Sequence, residues 1–200
     1  MKTLPVSVIL LLLSIGALAS EHGADIFSEQ CAACHGNAGL TMDTPLLHGQ
    51  EPAYIVKALK AFQSNARTDT IMMSMNAIAS ALSVEEIKAV ATYIAGQDPC
   101  ALNIEIDFQR EGFRAAFVTG RQLYQETNCG HCHQSFHHQA PRLIGQKASF
   151  LTRALDEFRQ GKRSAPMMAN LLRGWTDADY ANVVTYLSGM RLMRSCGEGH

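Results

Sequence analysis

A five-residue motif, Cys-Ala-Ala-Cys-His at residues 31–35, constrains this 200-residue chain more than any other feature, and it recurs as Cys-Gly-His-Cys-His at residues 129–133. Two thiols three residues apart each add to one vinyl group of a haem, and the adjoining histidine is then held beneath the iron. A redox dithiol also uses C-x-x-C, but it has no need of that histidine, and a zinc site needs four ligands together. The motifs therefore predict two covalently bound haem c groups. The attachment and proximal residues are Cys31, Cys34 and His35, and Cys129, Cys132 and His133.

Residues 1–19 have the pattern of a cleaved secretory signal peptide. Lys2 gives a positive start, residues 6–13 form an apolar run interrupted only by Ser7, and Ala17-Leu18-Ala19 is a small-x-small cleavage site. The run is short for a membrane anchor, so we expect cleavage rather than retention, and no transmembrane segment in the mature chain. The protein would then be periplasmic, the compartment in which bacterial proteins receive covalent haem.

The two halves of the remaining chain repeat each other. Gly49-Gln50 matches Gly145-Gln146 at an offset of 96 residues, and the match continues at an offset of 93 after a three-residue deletion. Length alone allows one domain or two, but a duplication with one haem motif per copy predicts two. We place them at residues 20–100 and 101–200, with the linker in the second. Domains this small bury little side-chain core, so haem is expected to supply part of it.

The residue pattern favours helices, and the predicted fold class is all-α. Apolar residues recur at helical spacing from Pro52 onwards, and Ser83-Val84-Glu85-Glu86 is a capping box that opens another helix. We expect the inner face of that helix to hold Val84, Ile87, Val90, Ala91 and Ile94. The predicted helices are 25–30, 52–65, 83–95, 117–127, 149–160 and 176–190.

Charge is divided unevenly between the halves. Residues 20–100 carry 4 Lys and Arg against 9 Asp and Glu, whereas residues 101–200 carry 12 against 9. This distribution predicts a dipolar molecule whose ends favour different partners, although two solvated faces would have the same composition. Nothing in it supports nucleic-acid binding.

Two cysteines, Cys100 and Cys196, lie outside the haem motifs, each after the last predicted helix of its repeat. In an oxidising compartment they could form a disulfide. Two free thiols or an intermolecular bridge are equally open, because the sequence gives no distance between them.

Methionines precede the last helix of both repeats. The internal alignment superposes Met75 on Met168, so these are the predicted sixth ligands of the two irons. Met72, Met73 and Met167 are alternative ligands, and methionine also serves as core filler. Iron with histidine on one side and methionine on the other has no vacant position for oxygen or peroxide. The prediction is therefore an electron-transfer protein and not an enzyme.

From about Gly23 to Met190 the chain resembles the cytochrome c4 family of dihaem periplasmic cytochromes. Besides the haem motifs, the resemblance rests on Pro-Leu-Leu-His-Gly-Gln at 45–50 and Pro-Arg-Leu-Ile-Gly-Gln at 141–146. It implies two tandem cytochrome c domains related by a pseudo-twofold axis, each wrapped around one covalent haem. The implied ligand pairs are His35 with Met75 and His133 with Met168, and the carbonyls of Pro45 and Pro141 would accept the other ring N–H of each histidine.

The resemblance also implies a role in respiration, as a carrier between a respiratory donor and a terminal oxidase or reductase. An alternative is the haem subunit or dedicated electron acceptor of a periplasmic dehydrogenase that oxidises sulfide, thiosulfate or an alcohol. A dihaem peroxidase is a further alternative, but it needs one five-coordinate iron. The expected partners are redox proteins that bind transiently, with peripheral membrane association as an additional option.

Overall fold

The computed structural model describes residues 21–36, 42–69, 72–99, 107–134 and 140–190. These residues form helices joined by loops, without a strand among them, so the all-α prediction is confirmed. The signal peptide, Cys100 and Cys196 lie outside the described residues. The helices are Ala32–His35 (α1), Pro52–Gln63 (α2), Met75–Ala81 (α3), Val84–Gly96 (α4), Phe113–Glu126 (α5), Gly130–His133 (α6), Ala148–Arg159 (α7), Pro166–Leu171 (α8) and Asp177–Gly189 (α9). Within these ranges, none has the length and hydropathy needed to cross a bilayer.

Local sequence sets several helix ends. The predicted capping box at α4 is present: Glu86 N donates to Ser83 Oγ, and Ser83 N donates to the Glu86 carboxylate over 2.8 Å. Thr176 and Asp179 form the same reciprocal pair at the start of α9. Pro52 is the first residue of α2, where its missing N–H costs no intrahelical bond.

Four sequence predictions about helices were wrong in detail. The helix before the first haem motif was expected to begin at residue 25, but the chain is already helical at residues 21–24. Val84 was expected on the inner face of α4 but is 45% exposed, because it is the first helical residue and precedes the buried stripe. The first helix of the second half begins at Phe113 and not at 117, directly after Gly112 in a left-handed conformation. The methionine segments lie outside all the predicted helices but contain α3 and α8, which are too short to show a periodic pattern.

Each half has its own apolar core, and the two cores are built from equivalent helices. In the first half, the inner stripe of α4 packs against α2 and the helical residues that lead into the first haem motif; its most buried members are Ile87, Val90, Ala91 and Ile94. In the second half, α9 packs against α5 and α7; the buried cluster there is Tyr124, Leu151, Val183, Val184, Tyr186 and Leu187.

In each half, a glycine allows the helix that leads into the haem motif to cross closely over the last helix. In the first half the leading helix is residues 21–26, and in the second half it is α5. A Cβ on Gly23 would lie 2.8 Å from the carbonyl carbon of Ala89 in α4. A Cβ on Gly120 of α5 would lie 2.5 Å from the carbonyl carbon of Asn182 in α9. Both distances are shorter than real Cβ atoms keep, so backbone meets backbone at this crossing in both repeats.

Candidate haem sites

The first haem motif lies where a π-helical turn meets a short α-helix. Residues 21–26 are helical and continue as a π-helical turn, Phe27–Cys31, so Cys31 ends that turn while Cys34 and His35 lie on α1. Both thiols are unpaired and half-buried. In the chain before haem attachment, burial, with a smaller contribution from Cys34, raises the pKa of the Cys31 thiol to about 11. The turn therefore presents two free thiols and one imidazole together.

The second motif repeats this arrangement. Cys129 precedes α6, and Cys132 and His133 lie on it. Cys129 N donates to Tyr124 O over 3.1 Å, which ties the motif to the end of α5. Both thiols are unpaired and half-buried, and burial raises the pKa of Cys129.

Both histidine rings are fixed by a backbone carbonyl. His35 Nδ1 lies 2.8 Å from Pro45 O, and His133 Nδ1 lies 2.8 Å from Pro141 O. A carbonyl oxygen can only accept, so Nδ1 carries the proton and Nε2 presents its lone pair. Burial lowers the pKa of both rings, which favours the neutral form that a metal needs. Two free thiols beside an imidazole held in this tautomer are the donor set that a covalent haem requires, so the residues fit that group in each half.

The structure distinguishes the candidate methionines by exposure. Met72, Met73 and Met167 are 46%, 72% and 66% exposed, whereas Met75 and Met168 are partly buried. Met75 begins α3, and Met168 lies within α8. This difference favours the two methionines that the internal alignment superposes.

Two polar residues that the sequence analysis missed hold the first methionine segment. The carboxylate of Asp69 accepts from Ser74 N over 3.1 Å and from Met75 N over 3.4 Å. Asn76 Oδ1 accepts from Asp69 N over 2.9 Å. Asn76 Nδ2 donates to Phe62 O and to Arg67 O. Neither residue has a sequence pattern that predicts these contacts. In the second half, Pro166 begins a helix at the corresponding place instead.

Two arginines at equivalent positions meet at the boundary between the halves. Arg163 donates to the Tyr54 hydroxyl over 2.9 Å. Burial, followed by the charge of Arg163, lowers the pKa of Arg67. Burial acts to raise the pKa of Tyr54, but Arg163 and Arg67 together lower it below its ordinary value. Two half-buried cations around one hydroxyl suit a bound anion, and the propionates of a haem are anionic, so this cluster also fits the predicted cofactor.

The halves are joined by a reciprocal pair of glutamines. Gln146 Oε1 accepts from Leu46 N over 2.8 Å, and its Nε2 donates to Leu46 O over 3.0 Å. Gln50 Oε1 accepts from Arg142 N over 2.6 Å, and its Nε2 donates to Arg142 O over 3.2 Å. Residues 46 and 142, like 50 and 146, are 96 positions apart. This exchange is what a twofold relation between the halves produces, and the predicted pseudo-twofold symmetry is confirmed.

Basic side chains of the second half also contact residues of the first half. Lys147 Nζ donates to Met42 O over 2.5 Å, and Arg153 pairs with Asp43 at 3.0 Å. Arg142 donates to His48 O over 2.7 Å. Part of the charge imbalance that the sequence analysis assigned to partner steering is therefore used between the halves.

Comparison with known proteins agrees with this geometry. Residues 19–94 and 115–187 match the family model described as cytochrome c oxidase, cbb3-type, subunit III. The chain is 38% identical over 200 residues to the thiosulfate dehydrogenase electron acceptor of Stutzerimonas stutzeri (strain A1501), covering 90% of this chain and 91% of that protein. It is 30% identical over 174 residues to cytochrome c4 of Thiocapsa roseopersicina, covering 80% and 86%.

A solved structure of cytochrome c4 from Acidithiobacillus ferrooxidans superposes with a TM-score of 0.66 at 29% identity, over 82% of this chain and 99% of that one. The match spans both repeats and both haem motifs, so the prediction of two covalent haem c groups is confirmed. The chain belongs to the cytochrome c4 family and is a dihaem electron-transfer protein.

Proposed function

We propose that this protein carries electrons in the periplasm between a respiratory donor and a terminal oxidase or reductase. In this proposal His35 and Met75 ligate the iron of the first half, and His133 and Met168 ligate the iron of the second. The cysteine pairs of the two motifs form the thioether links, Cys31 with Cys34 and Cys129 with Cys132. The two domains correspond to residues 20–100 and 101–200, after removal of residues 1–19.

The observation that carries this proposal is the pair of equal hydrogen bonds at the histidines. His35 and His133 each donate from Nδ1 to a proline carbonyl over 2.8 Å, which orients Nε2 in the same way in both halves. Haem supplies a one-electron redox centre at each site. The protein holds each imidazole in one tautomer, and Asp69 fixes the backbone of Met75, so ligands positioned in advance need little rearrangement when the charge of the iron changes.

A second candidate partner is supported by the relative from Stutzerimonas stutzeri, which is named an electron acceptor of thiosulfate dehydrogenase. The present chain would then receive electrons from a thiosulfate-oxidising enzyme instead of from a respiratory donor. In both cases the contacts would be transient, and attachment to the membrane would be peripheral. Measuring the rate at which purified enzymes of each kind reduce the protein separates the two candidates.

The ligand assignment is tested with Met75→Ala and Met168→Ala in the holoprotein. Each should remove the methionine–iron absorption band of one haem, lower the reduction potential of that haem and allow it to bind carbon monoxide. Met73→Ala and Met167→Ala are matched controls, because these neighbouring side chains are mostly exposed, and they should change none of the three readouts.

Two results would contradict the proposal. If Met73→Ala or Met167→Ala produces the loss instead, the ligand is the neighbouring methionine and the assignment is wrong. If the unmodified holoprotein binds carbon monoxide at neutral pH, one iron is open and the protein has to be reconsidered as a dihaem peroxidase.

A further inference from the structure

One peptide group in each half is hydrogen bonded on both sides. The carbonyl of Pro45 accepts from His35 Nδ1, and the N–H of the same peptide unit, which belongs to Leu46, donates to Gln146 Oε1 over 2.8 Å. The proximal histidine of the first half is therefore connected through a single peptide to a glutamine of the second half.

The second half contains the same chain of contacts in the opposite direction. The carbonyl of Pro141 accepts from His133 Nδ1, and the N–H of that peptide unit, which belongs to Arg142, donates to Gln50 Oε1 over 2.6 Å. Each glutamine thus contacts the peptide that fixes the histidine of the other half.

Both glutamines are held firmly. Gln50 and Gln146 are each 4% exposed, and each amide oxygen also accepts from the backbone N–H of the next residue over 3.0 Å. The amide orientation is determined by its partners, since a backbone N–H can only donate and a backbone C=O can only accept. The preceding glycines, Gly49 and Gly145, have φ of 65° and 74° and donate to Ile94 O and Leu187 O at the ends of α4 and α9, both over 2.9 Å.

This connection has a physical consequence for the histidines. When a peptide N–H donates to a strong acceptor, its carbonyl becomes a better acceptor in turn, because hydrogen bonds in a chain polarise one another in a low-dielectric interior. A stronger bond to Nδ1 makes the imidazole a more basic ligand, and a more basic ligand favours the more highly charged, oxidised metal.

We propose that Gln50 and Gln146 are positioning residues that act across the boundary between the halves: Gln146 strengthens the hydrogen bond of His35, and Gln50 strengthens that of His133. The inference rests on the proposed ligation of the two irons by these histidines. It assigns to the interface a part in setting each reduction potential, besides its part in holding the halves together.

The test replaces Gln146 by methionine, which has a similar volume but cannot accept the N–H of Leu46. In the reduced holoprotein, exchange of the His35 Nδ1 proton with solvent should become faster by up to about twofold, because the bond to Pro45 O remains and loses only the roughly 10–30% strengthening that a neighbouring bond in the chain supplies. The potential of the first haem should shift upward, while both readouts at His133 stay unchanged. NMR during a redox titration resolves the two histidines. Gln50→Met should give the mirror result, with the change at His133.

Two further variants separate this effect from simple loosening of the interface. Gln146→Glu keeps an oxygen acceptor for the N–H of Leu46 in nearly the same shape and should restore the slow exchange of the His35 Nδ1 proton. Gln63→Met is the matched control, because Gln63 is a half-buried glutamine whose Nε2 donates to Leu82 O over 2.7 Å within the first half. It should change neither histidine. If Gln146→Met does not fold, Gln146→Asn, which stays polar but is one carbon shorter, should show a smaller change of the same sign.

The inference is overturned if the change appears at the histidine of the same half, appears equally at both, or does not appear. It fails separately from the proposed function. Carbon monoxide binding by the unmodified protein would refute the methionine ligation, whereas exchange of the Nδ1 protons still measures the connection through the peptide.

Discussion

The close crossing of α5 and α9 leads to a strong prediction for Gly120→Ala. The new Cβ would lie 2.5 Å from the carbonyl carbon of Asn182 and 2.9 Å from Tyr186 Cβ, whereas ordinary contact begins at 3.4 Å. The neighbour that is too close is helix backbone, which cannot rotate away. The carbonyl oxygen of Asn182 lies closer still, so the two helices must separate by more than about 0.9 Å at this point.

The net cost follows from two opposing effects. Overpacking in a well-filled interior costs roughly 1 to 3 kcal/mol, and a shift of this size at a backbone contact belongs at the upper end. It would also loosen the contact of Phe117 with Tyr186, whose ring centroids are 5.2 Å apart. Alanine is favoured over glycine in a helix by about 1 kcal/mol. We therefore expect Gly120→Ala to lower the free energy of unfolding by about 2 kcal/mol.

Urea denaturation of the holoprotein, followed by the circular dichroism of the helices in both halves, measures this free energy of unfolding. Gly96→Ala is the control: nothing lies within 4 Å of its Cβ, so it should leave stability unchanged or raise it by up to about 1 kcal/mol. Gly23→Ala, with a carbonyl carbon at 2.8 Å, should be destabilising but less so than Gly120→Ala. Equal stability of Gly120→Ala and the unmodified protein would refute the argument.

Two other substitutions follow from single contacts. Ser83→Ala removes the side-chain acceptor of the capping box at α4 and should lower the free energy of unfolding in urea by about 1 kcal/mol. Ser80→Ala is the control, because the Ser80 hydroxyl donates to Asn76 O within its own helix, and it should lower that free energy little. Equal effects of the two substitutions would show that the cap contributes nothing. Lys147→Met removes a cation that donates to Met42 O and whose charge lowers the pKa of His35. A positive charge favours the reduced iron, so the reduction potential of the first haem should fall. A redox titration in which this potential stays the same or rises would contradict it.

Much of the fold could be predicted because the determining signals are local. The capping boxes at Ser83 and Thr176 lie within four residues of sequence, and the structure forms both. The apolar stripe of α4 likewise follows from its period, apart from Val84 at the first helical position. The short helices α3 and α8 gave no signal, since six or seven residues are too few for a period and contacts with the rest of the protein stabilise them.

In the candidate site, too, the residues with a local sequence signal could be predicted and those that depend on distant contacts could not. The thiols and histidines were assigned from the motif alone, because covalent attachment demands that order of residues. The contributions of Asp69, Asn76 and Tyr54 could not be predicted, since each depends on a contact with a residue that is remote in sequence or on the geometry of a loop. The internal alignment pairs Arg67 with Arg163, but the pairing alone did not predict that these two arginines meet at the boundary between the halves.

The interface shows that duplication preserved the backbone contacts and changed the charges. The glutamine contacts are reciprocal, and each histidine bond has the same length. Lys147, in contrast, occupies the position equivalent to Glu51, and Arg142 occupies that of Leu46, so these two basic side chains reach from the second half to the first from positions where the first half has no cation. The charge of Lys147 contributes to the lowered pKa of His35, whereas the pKa of His133 is lowered by burial against the opposing bond to Pro141. The two proximal histidines have hydrogen bonds of equal length but lie in different electrostatic surroundings, and we therefore expect the two haems to have unequal reduction potentials.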